Sequence, residues 1–495
     1  MGQNVPNTTF QRQDFEQFRL ELYRQLDQLK DILATPNFGQ QRHKLGAELE
    51  LYLIDENAQA SPSNQAVLQK LSDPQCQYEL NQYNLEINLS AFDLDKTPLF
   101  HLKDELQQKL ANLADVNKQL GISALPIGIL PTLNDRDLRA QWMTPLGRYH
   151  CLSRQLMSQR GSDFHIKING DEPLDMCLAD ISAEGANTSL QIHLMTSPER
   201  FTRVFNAAQL TLPLVTAISA NSPTFLGRQL WDETRIALFK QSIDVRHNNA
   251  LLPNEPARVS YGYGWLRNNV WDLFAEAVAL YPPIIPLRDA SESINGTPQH
   301  LPKLAELGLH MGTLWPWHRP VYDHHNNGHM RIEFRAIASG PTVDDMLANA
   351  ALAIGLAEGL ADDVDEIIAL MPFKYAEHNF YRAAQFGLDA KILWPLHHKY
   401  QLQTVPIEQV IESMLTTARN GLSRIGISAD ESNYFMSIIE QRLDSGLTGA
   451  RWQRHTLQHY RQIMSNDAAL KAMVLAYQRN YQSGNNLCQW ERPWQ

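Results

Sequence analysis

Four short segments of the sequence carry polar or charged side chains at every second position. They are "GAELELYLID" (46–55), "NLEINLSAF" (84–92), "TSLQIHLM" (188–195) and "HMRIEFRAI" (329–337). In a β-strand successive side chains point to opposite faces, so this alternation separates a polar face from an apolar one. On the first segment, Glu48, Glu50 and Tyr52 share the polar face, opposite alanine and leucine side chains. The segments therefore predict strands that display ionisable groups on one side.

The polar faces of these strands could hold metal ions. If the strands share one sheet, its polar face collects five candidate ligands in a single trough: Glu48, Glu50, Glu86, His193 and Glu333. Several carboxylates with one imidazole, far apart in sequence, favour Mg²⁺ or Mn²⁺ over zinc. Four half-polar strands facing solvent would show the same alternation, so the residues alone leave a solvated sheet face as the alternative.

Three arginines are candidates for binding anionic substrate groups. Arg335 follows Glu333 by two residues on the same strand face, where it could contact a phosphate held by a metal at Glu333. These two residues form the expected catalytic pair. Arg235 and Arg319 are candidates for a substrate carboxylate, because a guanidinium can donate to both carboxylate oxygens.

Other polar residues near these strands are weaker candidates. Glu79 fits a solvated residue at a strand end better than it fits a ligand, and Gln191 shares the polar face of the third segment. The histidines of "YDHHNNGHM" could suggest a transition-metal site, but the Asn-Asn-Gly sequence favours a polar turn.

The spacing of apolar residues predicts the elements that position these groups. Steps of three and four predict an amphipathic helix over residues 10–34. Strands interleaved with helices over 42–340 favour an α+β fold with an antiparallel sheet, packed by helices on one face. Beyond residue 341 the pattern is helical, with N-caps expected at Thr342 and Ser428. We predict a catalytic domain over 1–400, including the N-terminal helix, and a helical C-terminal region over 401–495.

Composition excludes several classes of function. The 43 basic and 54 acidic residues give a net charge of −11, which argues against nucleic acid as a partner. The apolar stretches are too short to predict a membrane span. Four cysteines without a C-x-x-C pair, together with a polar N-terminus, predict a cytoplasmic protein. No P-loop sequence is present, so a bound nucleotide would be held through metal ions on a sheet.

Five motifs in order give the chain a resemblance to a known family. They are "GAELE", "ELNQYNLEIN", "SLQIHL", "ANSP" followed by "GR" and Arg235, and "HMGTLWPWHRP" leading to "RIEFRA", over roughly residues 42–360. Together they resemble the glutamate-cysteine ligase type 2 family of carboxylate-amine ligases, whose catalytic domain is similar to that of glutamine synthetase. The resemblance implies a curved antiparallel sheet that binds ATP with two or three Mg²⁺ ions, and it points to the same trough residues.

The expected function is therefore an ATP- and Mg²⁺-dependent ligase that joins an amino-acid carboxylate to an amine through an acyl phosphate. The γ-carboxylate of glutamate and the amine of cysteine are the expected pair. Two alternatives stay open: a metal-dependent hydrolase that uses the same trough, and a relative that binds nucleotide or amino acid without turnover. The expected partners are small molecules, with no nucleic acid and no membrane, and the sequence leaves open whether the chain forms a homo-oligomer.

Overall fold

The computed structural model describes residues 9–247, 255–289, 301–396 and 401–495. The strands, in chain order, are β1 (Lys44–Ile54), β2 (Cys76–Tyr78), β3 (Asn84–Asn88), β4 (Phe92–Asp93), β5 (Ser123–Leu125), β6 (Phe164–Ile168), β7 (Leu174–Leu178), β8 (Leu190–Thr196), β9 (Thr224–Phe225), β10 (Arg228–Gln229), β11 (His318–Asp323), β12 (His329–Phe334), β13 (Lys391–Leu396) and β14 (Gln401–Pro406).

Eight of these strands form one antiparallel sheet, which positions the candidate site. Its order is β11-β12-β8-β1-β3-β2, and both β4 and β5 also pair with β1. The four strands predicted from alternation are β1, β3, β8 and β12, and they are consecutive neighbours in the sheet. The predicted α+β class with a curled antiparallel sheet is confirmed.

The register of the strands brings the predicted polar residues together. Glu50 pairs with Glu86 across β1 and β3. Across β1 and β8, Glu48 pairs with Gln191. Glu333 of β12 pairs with His193 on one side and with Arg319 of β11 on the other. Because directly paired residues point to the same face of a sheet, these side chains share one face.

Helices cover the opposite, apolar face of the sheet. The helices are α1 (Arg12–Leu33), α2 (Asn64–Leu71), α3 (Pro98–Leu120), α4 (Gly147–Arg160), α5 (Pro198–Ser219), α6 (Thr234–Ser242), α7 (Trp271–Leu280), α8 (Ala305–Met311), α9 (Val343–Leu360), α10 (Val364–Leu370), α11 (Phe373–Phe386), α12 (Ile407–Arg424), α13 (Ala429–Ser445), α14 (Gly449–Arg461) and α15 (Asn466–Gln482). α5 and α9 pack on each other and on β8. Both are buried nearly all round, as expected for helices enclosed by a core.

The predicted helix starts are confirmed at three places. The N-terminal helix, predicted over 10–34, is α1. The side chain of Thr342 accepts a hydrogen bond from the backbone N–H of Asp345 and so caps α9. Ser428 caps α13 in the same way, accepting from the N–H of Glu431.

The C-terminal helices pack closely against the rest of the chain. α12 and α13 pack on α9. Trp452 of α14 and Tyr477 of α15 belong to a hydrophobic cluster that also contains Tyr52 of β1. The predicted boundary at residue 400 adjoins residues 397–400, which lie outside the described residues, so the division into two domains stays a prediction. No helix in the described ranges combines the length and apolar character needed to cross a bilayer.

A buried ion pair joins α13 to α9, and its loss should destabilise the fold. Arg442 donates to Asp345 at 2.7 Å, and both side chains are almost fully buried. We expect Arg442→Met to lower the free energy of unfolding by about 3–5 kcal/mol, because the carboxylate would remain buried without its partner. The more exposed pair of Arg419 with Glu440 provides the control. Arg419→Met should cost less than about 1 kcal/mol, and equal losses in urea unfolding would contradict this interpretation.

Candidate active site

Three neighbouring strands place Glu48, His193 and Glu333 side by side, and we refer to these residues as the histidine cluster. One ligand atom from each lies within 4.8 Å of the other two. The Nε2 atom of His193 is 3.1 Å from Oε1 of Glu48. The Oε2 atom of Glu48 is buried and has no hydrogen-bond partner among the described residues. The cluster therefore contains a buried acceptor that a cation could satisfy.

Two arginines hold the Glu333 carboxylate. Arg319 donates from Nε to Oε2 at 2.6 Å and from Nη2 to Oε1 at 3.0 Å, and Nη1 of Arg335 also donates to Oε1. Burial alone would raise the pKa of Glu333, but the charges of Arg319 and Arg335 hold it well below its usual range. Burial likewise opposes ionisation of Glu48, whose pKa is lowered by His193. Both carboxylates are therefore ionised at neutral pH.

Glu50, Glu79 and Glu86 form a second group, the triglutamate cluster. Their ligand atoms also lie within 4.8 Å of one another. Glu50 accepts hydrogen bonds from Ser189, at 2.8 Å from the backbone N and 3.0 Å from Oγ. Asn88 donates to Glu86 at 2.7 Å. The structure thus divides the predicted single trough into two clusters.

Glu79 belongs to this second cluster, although its sequence position favours a solvated strand end over a ligand. It directly follows β2, is partly buried, and faces the carboxyls of Glu50 and Glu86. Glu79 follows a short edge strand, and the sequence there shows no alternation from which the direction of its side chain could be predicted. Proximity in space therefore makes it a stronger candidate than sequence position did.

The triglutamate cluster keeps its charge low by protonation. Burial, followed by the charge of Glu86, raises the pKa of Glu79 well above its ordinary value. Burial and the charge of Glu48 raise the pKa of Glu86 to about 7. Glu184, which sequence analysis missed, has a pKa raised to about 8 by burial and then by the charge of Glu50. A bound divalent cation would neutralise these carboxylates in place of the protons.

Gln191 connects the two clusters. Its Nε2 atom donates to Glu50 at 2.7 Å, and its Oε1 atom accepts from Nη1 of Arg335 at 2.6 Å. Arg335 in turn contacts Glu333 of the histidine cluster. The sequence predicted Gln191 only as a weaker candidate. In the structure its side-chain amide contacts Glu50 directly and reaches Glu333 through Arg335.

The arginines predicted to bind a substrate carboxylate are engaged by the protein. Arg319 holds Glu333, as described above. Arg235 is buried, donates to Glu233 at 3.0 Å and to the backbone oxygen of Ala336 at 2.5 Å. Its charge also acts on Glu50. Their role toward a substrate stays a prediction, and Arg235 lies outside both clusters.

A cavity of about 240 Å³ adjoins the histidine cluster. Three cationic side chains line it, Lys303, Arg319 and Arg331. Apolar side chains that include Phe274, Leu307 and Met311 line it as well. Arg331 lies two residues before Glu333 on the same strand, so the alternation could have identified it. Lys303 precedes α8, and no sequence pattern relates it to the sheet.

Arg331 also determines which nitrogen of His193 carries a proton in this arrangement. Its Nε lies 3.3 Å from Nδ1 of His193. A guanidinium only donates, so Nδ1 accepts and Nε2–H faces Glu48. Ligation of a cation through Nε2 requires the other tautomer and the release of this contact by Arg331.

The turn between β11 and β12 is the polar turn that its sequence predicted. Asn326, Asn327 and Gly328 all have positive φ angles. Ligand atoms of Asp323, His324 and His325 approach one another there. The aspartate already accepts from His325 at 2.8 Å and from Arg331 at 3.2 Å.

Arg148 of α4 lies beside the triglutamate cluster and was not identified from sequence. It donates to the hydroxyl of Tyr149 at 2.6 Å and to the backbone oxygen of Tyr78 at 3.2 Å. After burial, the charge of Glu79 is the main cause that raises the pKa of Tyr149. The Nε atom of Arg148 is buried without a hydrogen-bond partner in the described part of the chain, so it can donate to an anion.

The donor atoms fit hard divalent cations. The two clusters offer five carboxylates and one imidazole, without a thiolate, which is the donor set of Mg²⁺ or Mn²⁺. One buried oxygen of Glu48 has no hydrogen-bond partner in the described ranges, and the pKa values of Glu79 and Glu86 are raised. Each cluster therefore has acceptor atoms that a cation could use, and these atoms fit the predicted metal type.

Comparisons with known proteins concern the fold and the family of the chain. The structure of the glutamate–cysteine ligase GshA from Francisella tularensis in complex with AMP superposes with a TM-score of 0.57 and 14% identity, over 91% of each chain. A bifunctional glutathione synthetase from Pasteurella multocida matches with a TM-score of 0.44 and 10% identity, over 93% of this chain and 54% of that one. No curated protein shows a significant sequence match. The profile of glutamate-cysteine ligase family 2 matches residues 44–473, and the chain belongs to that family.

Proposed function

We propose that this carboxylate-amine ligase uses ATP to activate the γ-carboxylate of glutamate and joins it to the amine of cysteine. The observation that carries the proposal is the pair of acidic clusters on one sheet face, linked by Gln191 and Arg335. Such a pair can hold a polyphosphate at one cluster and an acceptor carboxylate at the other, with a cation between them. The choice of glutamate and cysteine is supported by the name of the Francisella enzyme, whose fold is similar.

The metal ions would be Mg²⁺ or Mn²⁺. The histidine cluster would hold one ion and the triglutamate cluster another, which follows from the donor sets described above. When bound, the ions neutralise negative charge on the nucleotide phosphates and on the acceptor. Without them the acidic face would repel a triphosphate.

The cavity beside the histidine cluster is the proposed nucleotide site. Lys303 and Arg331 supply positive charge for phosphate oxygens, and Phe274, Leu307 and Met311 supply apolar surface for a base. The amino acid would lie beside the triglutamate cluster, where Nε of Arg148 has no protein partner in the described chain. This proposed arrangement would bring the acceptor carboxylate next to the terminal phosphate.

The proposed reaction has two steps. An oxygen of the substrate carboxylate attacks the γ-phosphorus, and the bond between the γ-phosphorus and the β-phosphate oxygen breaks. ADP is the leaving group, and the substrate becomes an acyl phosphate. The amine then attacks the acyl carbon, phosphate departs, and the nitrogen loses a proton to give the amide. Arg335 stabilises charge on the phosphoryl oxygens during transfer, while Gln191 and Glu333 hold its guanidinium in place.

The proposed cytoplasmic location is supported by the cysteines. Cys76, Cys151, Cys177 and Cys488 are all free thiols. Free thiols suit a reducing compartment, which supports a cytoplasmic location.

Release of phosphate from ATP should require both an amino acid and an amine. We expect purified protein with Mg²⁺ to release phosphate when glutamate and cysteine are both present. Glu48→Gln should lower that rate by at least about 10²-fold, because it removes one charged ligand from the histidine cluster. Glu56→Gln, an exposed residue beyond β1, serves as the matched control and should retain the rate.

Two other outcomes of this assay would contradict the proposal. Phosphate release that is independent of the amine and the amino acid would identify a hydrolase. Tight ATP binding without any turnover, across a screen of amino acids and amines, would identify a binding protein.

Arg335→Lys should separate a catalytic arginine from a structural ion pair. A single nitrogen of Arg335, Nη1, contacts both Glu333 and Gln191. Lysine keeps a charged nitrogen for these contacts but loses the planar fork that can grip two phosphate oxygens. We expect metal-dependent ATP binding within a few-fold of wild type, and kcat lowered by a factor on the order of 10² to 10³. Normal kcat with a lowered melting temperature would remove Arg335 from the mechanism, and Arg419→Lys on the surface controls for the substitution itself.

Metal binding and protons should compete at Glu86. Its pKa is about 7 in the folded protein, against an ordinary value of 4.5. Between these values the folded state binds more protons than the unfolded chain, so the free energy of unfolding of metal-free protein decreases as pH rises. Mn²⁺ must displace those protons, and its affinity should therefore increase up to about pH 7 and level off above it.

Calorimetry at several pH values measures this competition. Glu86→Gln should weaken Mn²⁺ binding and flatten its pH dependence, because an amide has no proton to lose. Glu56→Gln should keep the wild-type slope. An affinity that does not change between pH 6 and 8 in wild-type protein would refute the prediction.

A further inference from the structure

Asn221, in the "ANSP" motif, lies at the centre of a fully buried hydrogen-bond network. Its Nδ2 donates to the backbone oxygen of Ser339 at 2.7 Å and contacts the hydroxyl of Tyr477 at 2.9 Å. Its Oδ1 accepts from Nε2 of Gln453 at 2.8 Å. All four of these residues have 0% exposed surface. The amide thus joins α14 and α15 to the segment that follows β12.

Two glycines leave the space that this amide occupies. A Cβ on Gly449 would lie 2.1 Å from Oδ1 of Asn221, and a Cβ on Gly340 would lie 2.5 Å from the hydroxyl of Tyr477. Gly340 also has a φ of +82°, which disfavours any other residue. The backbone on both sides is therefore shaped around the contacts of Asn221.

From Asn221 one branch of the network leads to the triglutamate cluster. The Oγ of Ser339 donates to the backbone oxygen of Glu50 at 2.7 Å. The backbone N of Ser339 donates to Thr188, which directly precedes the residue that caps the Glu50 carboxylate. Three hydrogen bonds therefore connect the Tyr477 hydroxyl, through Asn221 and Ser339, to the main chain of a proposed metal ligand.

A second branch leads to the strand end that carries Arg335. The backbone N of Asn221 donates to Glu233 at 2.9 Å. Glu233 accepts from Arg235, which donates to the backbone oxygen of Ala336, the residue after Arg335. This gives Arg235 a definite contact in the protein, different from the substrate carboxylate that the sequence suggested.

We propose that Asn221, Ser339 and Tyr477 are positioning residues, through which the C-terminal helices set the location of Glu50 and Arg335. The inference rests on the proposed function for the roles of those two residues. Inside a protein, each unmade hydrogen bond of such a network leaves a buried polar group unsatisfied, so a missing member shifts its neighbours. Mutation of the groups that orient metal ligands typically lowers the affinity for the metal.

Tyr477→Phe and Ser339→Ala test this proposal, because each removes one hydroxyl. We expect each to lower the affinity of the substrate-free protein for Mn²⁺, measured by calorimetry, by about 10-fold. The double variant should lose less than the product of the two single effects, since both act through one network. Kcat at saturating Mg-ATP should fall by a similar factor.

Val474→Ala is the control for general destabilisation of α15. This residue is fully buried on the same helix and belongs to its hydrophobic cluster, and its side chain has no polar atom to join the network. Its Mn²⁺ affinity should equal that of wild type despite a lower melting temperature. Equal loss in Val474→Ala, or unchanged Mn²⁺ affinity in both Tyr477→Phe and Ser339→Ala, would overturn the proposal.

These measurements separate failure of the positioning role from failure of the proposed function. If wild-type protein binds Mn²⁺ but shows no ATP-dependent amide formation, the function is wrong. The comparison of Mn²⁺ affinities among the variants still decides the positioning role. Should Tyr477→Phe fail to fold, Ser339→Ala provides the same test from the other end of the network.

Discussion

Electrostatic repulsion among buried carboxylates on one sheet face is the constraint on which the rest of this structure depends. Six glutamates interact electrostatically there: Glu48, Glu50, Glu79, Glu86, Glu184 and Glu333. Like charges at this spacing in a low dielectric would destabilise the sheet by several kcal/mol without compensation. The apolar face fixes the register, since a slip of one residue would move every glutamate of a strand into the core. The carboxylates therefore stay close together, because packing of the apolar face prevents the strands from shifting to separate them.

The fold compensates this repulsion in two different ways. Arginines neutralise the histidine cluster, so that Glu333 is ionised over the whole physiological range. Protons neutralise the triglutamate cluster, because none of its carboxylates forms a salt bridge with an arginine in the described ranges, and burial raises the pKa values of Glu79 and Glu86. The carboxylates of the first cluster are consequently charged throughout the neutral pH range. A cation bound at the second cluster, as proposed above, would displace protons, so its binding would be coupled to pH.

Local patterns predicted the strands and helices well, and long-range contacts explain what they missed. Alternation identified β1, β3, β8 and β12, and the helix predicted from residue 10 is present almost to the residue. The division into two clusters depends on which residues pair across strands, which no single strand specifies. Arg148 and Lys303 come from elements that show no relation to the sheet in sequence. The buried network around Asn221 combines residues from positions 126 to 477, a separation at which periodicity carries no information.

The segment from Arg335 to Thr342 explains why the site and the helical region cannot vary independently. It contains the proposed catalytic arginine, the serine that contacts Glu50, the glycine against which Tyr477 packs, and the cap of α9. These positions follow one another within a single connection between β12 and α9. Displacing the cap or α15 would therefore move the serine relative to β1, and with it the spacing between the two clusters. In the proposed reaction, phosphoryl transfer would depend on the distance between donor and acceptor, so the same backbone would set both the helix packing and the transfer geometry.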